Sequence, residues 1–183
     1  FKIFWKDKLI LLYLFDEQIL KGDEEMLALM KDEKIYNYKP FDYLQYFYPE
    51  FKAFIKEIPQ EFEKDYELFE YNRKEGKNES NICKIIQTDS IKEFVTYVNL
   101  TNYQLSSRIP STIYETDYFL IENNLNLIEY SAFYGSIQIF KYLFLNQIDI
   151  TSRCLFCAIH GNNPELIHYL EENYKTDKMN YYQ

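Results

Sequence analysis

Glycine and alanine are scarce in this chain of 183 residues, four of each, and there are only two histidines. A phosphate cradle needs several glycines at close spacing, so the glycine count excludes loops of that kind. The three cysteines are an odd number with no secretory signal before them, which predicts reduced thiols in a cytoplasmic setting. Basic charge is also short: residues 1–80 carry 13 basic and 18 acidic side chains, residues 81–183 carry 7 and 11, and the net charge is -9. No Lys/Arg stripe survives that mixture, so neither nucleic acid nor an anionic membrane is an expected partner. The longest apolar run covers residues 9–15, seven residues, against roughly 20 needed to cross a bilayer. Asp16 and Glu17 follow it where a signal peptide would carry a small-residue cleavage site. The first residue is Phe rather than Met, which points to further sequence upstream. Two Asn-x-Ser/Thr sequons, at Asn78 and Asn99, are read as chance matches in an Asn-rich chain.

What is abundant is apolar and aromatic: 47% of residues are hydrophobic and 19% are Phe, Trp or Tyr. That is enough to bury a continuous core. Breakers divide the first 80 residues into expected helices at 2–21 (ending at Gly22), 24–32, after Pro40, 49–58 and 60–75 before Gly76. In the last, Phe62, Tyr66 and Phe69 fall at i, i+4, i+7, the spacing of one aromatic face. The polar stretch 73–80 is the candidate boundary, giving an N-terminal helical region at 1–79 and a second region at 80–183.

Beyond residue 80, short helical pieces come in pairs. Residues 126–134 and 136–145 flank Gly135, and 152–160 and 165–172 flank the turn 161–164. Ala132 and Gly135 recur 26 residues later as Ala158 and Gly161, while Tyr142 and Leu143 recur 27 later as Tyr169 and Leu170. A third unit lies 46 residues upstream, where Ile82, Ser90, Ile91 and Phe94 match Ile128, Ser136, Ile137 and Phe140. Three such hairpins, near 81–99, 126–146 and 152–173, predict an all-α, helical-hairpin solenoid, since none covers its own apolar face alone. Gly135 and Gly161 are expected at positive φ in the turns. Ile137, Phe140 and Leu143, then Leu166, Ile167 and Leu170, are expected on the buried face of each second helix. Residues 173–183 have the look of a further unit beginning. Residues 100–125 stand as an insertion, either a binding element or a loop packed over the stack.

The run 126–143, NLIEYSAFYGSIQIFKYL, resembles the repeat core of the ankyrin-repeat family, T-P-L-H-x-A-A-x-x-G-H-x-x-I-V-x-x-L-L. It lacks the Thr, Pro and His of the opening tetrapeptide, and the spacing is shorter than the family's usual length of about 33. Together with NICKIIQTDSIKEFVTYVN, it is most similar to the divergent, short-repeat ankyrin arrays expanded in protozoa. The resemblance implies protein binding through a concave face bearing the residues just before each turn: Phe133 and Tyr134, then Ile159 and His160. Exposed, they suit an interface; the competing reading buries them against 100–125.

Chemistry-bearing residues do not converge in the sequence. Cys154, Cys157 and His160 have no second ligand cluster nearby for a zinc site, and the repeat register puts both cysteines in core slots. Neither His160 nor His168 has a marked nucleophile and acid beside it, so no catalytic residue, cofactor or metal is assigned. The expected role is a non-enzymatic scaffold or adaptor for another protein. The alternative, from a different class, is a regulatory array of a larger enzyme whose catalytic domain lies outside these residues. A different helical solenoid is the third reading of the fold.

Overall fold

The computed structural model describes residues 7–31 and 40–173. Among them the regular structure is helical, and the one extended pairing is an isolated antiparallel bridge between Arg108 and Asn126. In chain order the helices are α1 (Lys8–Asp16), α2 (Glu24–Met30), α3 (Pro40–Tyr46), α4 (Tyr48–Phe51), α5 (Gln60–Lys64), α6 (Tyr66–Glu75) and α7 (Asn81–Gln87). They continue with α8 (Ile91–Thr101), α9 (Tyr118–Asn123), α10 (Leu127–Tyr134), α11 (Ile137–Leu145), α12 (Ser152–His160) and α13 (Pro164–Asn173). Among the described residues no helix is long and apolar enough to cross a membrane. The expected start of a further unit at 174–183 and the beginning of the first expected helix, residues 2–6, lie outside the described residues.

The chain divides into two compact units, 1–79 with 111–123, and 80–110 with 124–183. In the first, Leu11, Leu12 and Phe15 of α1 meet Met26, Leu27 and Met30 of α2 and the rings of Tyr43, Tyr46, Phe47 and Phe51. Aspartates start four of its described helices: Asp7, Asp23, Asp65 and Asp117 accept the backbone N–H of Ile10, Met26, Leu68 and Leu120. Each such cap contributes about 1 kcal/mol. Several expected helices are shorter than their apolar patterns. The first stops at Asp16 because Gln18 turns left-handed at φ 57° and lets Ile19 and Leu20 N–H close back on Leu14 O. The segment expected to be helical at 49–58 keeps only α4. The one expected at 60–75 breaks into α5 and α6, because Asp65 takes an extended conformation and caps the second piece. Phe62 still touches both Tyr66 and Phe69, at 5.2 and 5.3 Å between ring centres, but Tyr66 is exposed and only Phe69 is buried. Gly76 ends α6 at φ 64°, as its position predicts.

Arg73, inside the polar boundary stretch, is the largest fully buried side chain of this unit. Its guanidinium pairs with Glu50 and Glu70, both at 2.7 Å, and lies against the rings of Tyr46, Phe47 and Phe69. Burying an arginine is tolerable only with such compensation. Residues 111–123, read from the sequence as part of an insertion in the second region, fold with the first unit. Lys8 Nζ donates to the carbonyls of Ile113 (2.6 Å) and Glu115 (2.9 Å), Thr116 bonds the carbonyl of Gly76, and Tyr114 meets Phe69 edge-on.

Among its described residues the second unit holds three helix pairs: α7 with α8, α10 with α11, and α12 with α13. Consecutive pairs pack on each other, α10 lying against α7 and α12, and α11 against α8. The helices are amphipathic, and Phe94, Phe140, Leu143, Leu166 and Leu170 are fully covered. On α11, however, Ile139 joins Phe140 and Leu143 in the core while Ile137 is only half-buried; Ile167 is likewise half-buried.

Candidate functional site

The turn between the helices of each pair has one hydrogen-bond pattern. In the first, Asp89 N–H donates to Ile86 O and Ser90 N–H to Ile85 O; in the second, Gly135 to Ala132 and Ser136 to Ser131; in the third, Asn162 to Ile159 and Asn163 to Ala158. The left-handed residue of each turn is Asp89, Gly135 and Asn162, at φ 47°, 67° and 54°. The offsets are therefore 46 and then a uniform 27. The sequence alignment, guided by the two Ala-x-x-Gly copies, places Gly161 in the slot of Gly135. The structure gives that slot to Asn162, a residue that tolerates φ > 0, and Gly161 keeps φ at -76°. Gly161 is small for another reason, because a Cβ there would overlap the carbonyl oxygen of Phe133 on the preceding pair. In this register Cys154 and Cys157 occupy the slots of Leu127 and Tyr130 rather than Ile128 and Ser131, and Ala158 that of Ser131. All three are fully buried.

The pairs are tied together by polar groups in repeating positions. Ser136 Oγ donates to Ile86 O at 2.5 Å, and Asn163 Nδ2, one register step on, donates to Ala132 O at 3.3 Å and also to Phe133 O. Asp89 reaches across to cap α11, accepting from the backbone of Gln138 (3.1 Å) and Ile139 (3.0 Å). Arg153 of α12 meets Glu129 at 3.5 Å, and Glu129 also closes a capping box with Asn126. Aromatic contacts repeat as well: Phe94 on Tyr142, then Phe140 on Tyr169. Of these linking residues, Ser136 was matched to Ser90 in the sequence as a repeat position, while Asp89 and Asn163 were not singled out. The signal for them is a polar residue at the left-handed or capping position of each turn.

Phe133 and Tyr134 sit at the end of α10, half-buried, with ring centres 5.2 Å apart, and Tyr134 lies tilted against the buried Tyr130 at 4.8 Å. The Tyr130 hydroxyl accepts from Gln87 on the first pair, so this aromatic group is anchored across two pairs. Ile159 and His160 end α12 and are exposed. By hydrogen-bond register they occupy the slots of Ala132 and Phe133, one residue away from the slots the sequence alignment gives them. The structure thus brings Phe133 and Tyr134 together in one aromatic group and places Ile159 on the outer face of the last pair.

The thiols of Cys154 and Cys157 are pushed up to about 11 and about 12, chiefly by burial, with the nearby carboxylate of Glu129 adding to it. At neutral pH they are therefore protonated, and a protonated thiol is a poor nucleophile and metal ligand. Among the described residues no group of three or more His, Cys, Asp or Glu side chains is placed to hold a metal ion. His168 faces solvent with Nδ1 3.7 Å from Glu171. No protein-family model, curated protein or solved structure matches the chain.

Proposed function

We propose that the second unit is a short ankyrin-like array of stacked helical hairpins whose role is to bind another protein rather than to catalyse a reaction. The observation that carries this reading is the cross-linked register. Side-chain bonds recurring at 46 and 27 residues hold three hairpins in one stack, and that stack fixes an aromatic group, Tyr130, Phe133 and Tyr134, at its edge. Rings that are half-open and held rigidly from behind lose little entropy on binding, which is what an interface anchor needs. Ile159 and His160 extend the candidate surface on the next helix. The partner it suits is a folded protein or peptide with apolar residues to cover the rings.

Capture with the full chain, followed by identification of the bound protein, tests the reading. Replacing Phe133 and Tyr134 together by serine should weaken the captured complex by roughly 2–4 kcal/mol, the size of an interface anchor. Circular dichroism should still show a folded helical protein. A folded double variant that binds its partner unchanged would refute the assignment of this ridge.

A further inference from the structure

We infer that copies of this chain associate head to tail, the outer face of α12 and α13 on one copy seating against the outer face of α7 and α8 on the next. Each later pair touches its predecessor through the slots of Tyr130, Ser136, Ile139 and Tyr142, which reach Gln87, Ile86 O, Asp89 and Phe94. In the first pair those slots hold Lys84, Ser90, Glu93 and Thr96. Lys84, Glu93 and Thr96 line one groove of about 550 Å³, with Ile85, Tyr97 and Leu100 as its apolar part. Leu100 is 80% exposed, and Ile85 and Tyr97 are half-buried.

At the other end, the slots of Gln87, Asp89 and Phe94 hold His160, Asn162 and Ile167. Phe156 and Ile159 stand beside them, 47% and 52% exposed. Their equivalents in the first two pairs, Cys83 and Glu129, then Ile86 and Ala132, are all buried. Each end of the stack therefore shows apolar surface in slots that its interior junctions use for contact, and a second copy covers both at once.

Polar groups match across the same junction. Ser90 makes no cap bond to α8 and holds the slot of Ser136 and Asn163, which donate to the carbonyls of Ile86 and Ala132; Ile159 O is the acceptor one step further on. Asn162 occupies the slot of Asp89, which caps the second helix of the following pair. Facing the start of α8, it is a capping side chain without charge, so Glu93 is not repelled there as it would be by an aspartate. Lys84 is the costly residue. Cys157, in its slot, lies near Glu129, in the slot of Phe156, so Lys84 comes against the Phe156 ring. Its aliphatic stem packs on that ring while the ammonium lies over the ring face or reaches water at the edge. Ile85 and Ile159 stand where Ser131, Ala158 and Ala132 are small, so the copies meet through interleaved side chains at a wider spacing than successive pairs. A junction of this kind does not close on itself, and the association it gives is weak and open-ended.

Sedimentation of the full chain between roughly 10 μM and 1 mM, where weak contacts populate, should show reversible growth beyond a dimer. Phe156→Asp on the trailing face, and Thr96→Asp with Leu100→Asp on the leading face, all change exposed positions. Each variant should remain folded by circular dichroism and associate roughly ten-fold or more weakly. Mixed in equal amounts, the two variants should form a dimer and nothing larger, since one intact trailing face then meets one intact leading face. A parent chain that stays monomeric throughout would overturn the inference, and so would a mixture that stays monomeric. Association lost in Phe156→Asp but kept in the leading-face variant would also overturn it, assigning the face to a symmetric pairing of α12 and α13. Phe133 and Tyr134 are unchanged in every variant, so failure here is separate from failure of the binding ridge.

Discussion

Gly161 and Asn162 show how little of a turn's logic resides in one residue type. Gly135 supplies the positive φ of its turn, and a side chain there would also run into Asn163. One pair later the two demands fall on neighbours: Asn162 takes the left-handed conformation and Gly161 the close approach to the Phe133 carbonyl. Sequence matching saw the glycine and not the geometry, so its register slipped by one. Gly161→Ala should cost roughly 1–3 kcal/mol, because the obstacle is a backbone oxygen that cannot step aside. Asn162→Gly should stay within about 0.5 kcal/mol of the parent. Thermal denaturation of the two variants checks the pair, and the opposite ranking would restore the 26-residue register. The burial of Cys154 and Cys157 was legible because either register puts them in core slots. Both thiols should resist a disulfide reagent at neutral pH until the protein is unfolded, and rapid labelling of either in the native state would contradict their placement.

At the scale of elements, helix existence was legible and helix extent was not. The periodic apolar residues of α8, α11 and α13 announce amphipathic helices, whereas the break at Asp65 depends on a carboxylate competing for the backbone, which periodicity does not register. The packing of successive pairs was likewise only half visible. Apolar slots 46 and 27 residues apart pointed to related units, but the cap that Asp89 provides to α11 joins residues 49 and 50 positions apart. A polar residue in the turn marks a cap, but nothing local in the sequence says which helix it serves. Asp89→Ala should remove about 1 kcal/mol, the usual worth of a helix cap. The left-handed backbone there, at φ 47°, adds to the loss, since alanine tolerates it less well than aspartate. Faster amide exchange at Gln138 and Ile139, with α13 unaffected, would be the local signature. Uniform loss of protection across the unit would argue instead for a general packing role.

For the molecule as a whole, the two compact units are interleaved along the chain, since 111–123 lies between segments of the second unit yet folds with the first. An insertion within a repeat pattern looks from the sequence like a property of that pattern. Its true partners, Lys8 and Gly76, are distant along the chain, which is why they went unseen. The segment also carries a carboxyl whose titration makes stability depend on pH near neutrality. Burial raises the Glu115 carboxyl to about 7 from its ordinary 4.5, although the backbone N–H groups of Thr116 and Asp117, and the Lys8 ammonium, favour the ionised form. Its Oε2 has no hydrogen-bond partner, and the carboxylate of Asp117 nearby adds repulsion.

The direction of the effect follows from these values. Below the unfolded value Glu115 is protonated in both states and contributes no difference. As pH rises through the window between 4.5 and about 7, the unfolded chain releases its proton and the folded one retains it, so stability falls; above that window the whole penalty is present. A gap of this width corresponds to about 3 kcal/mol at ~1.4 kcal/mol per unit. Glu50 is raised as well, again chiefly by burial, and pushes in the same direction. The full chain should therefore melt several degrees higher near pH ~5 than near pH ~8, and Glu115→Gln should flatten that difference by holding a neutral group in the same space. Circular dichroism melts of both proteins at the two pH values make the comparison. Stability that is level or rising across this window in the parent, or a Gln variant with the parent's slope, would mean that Glu115 is solvated and that 111–123 does not stay closed over it.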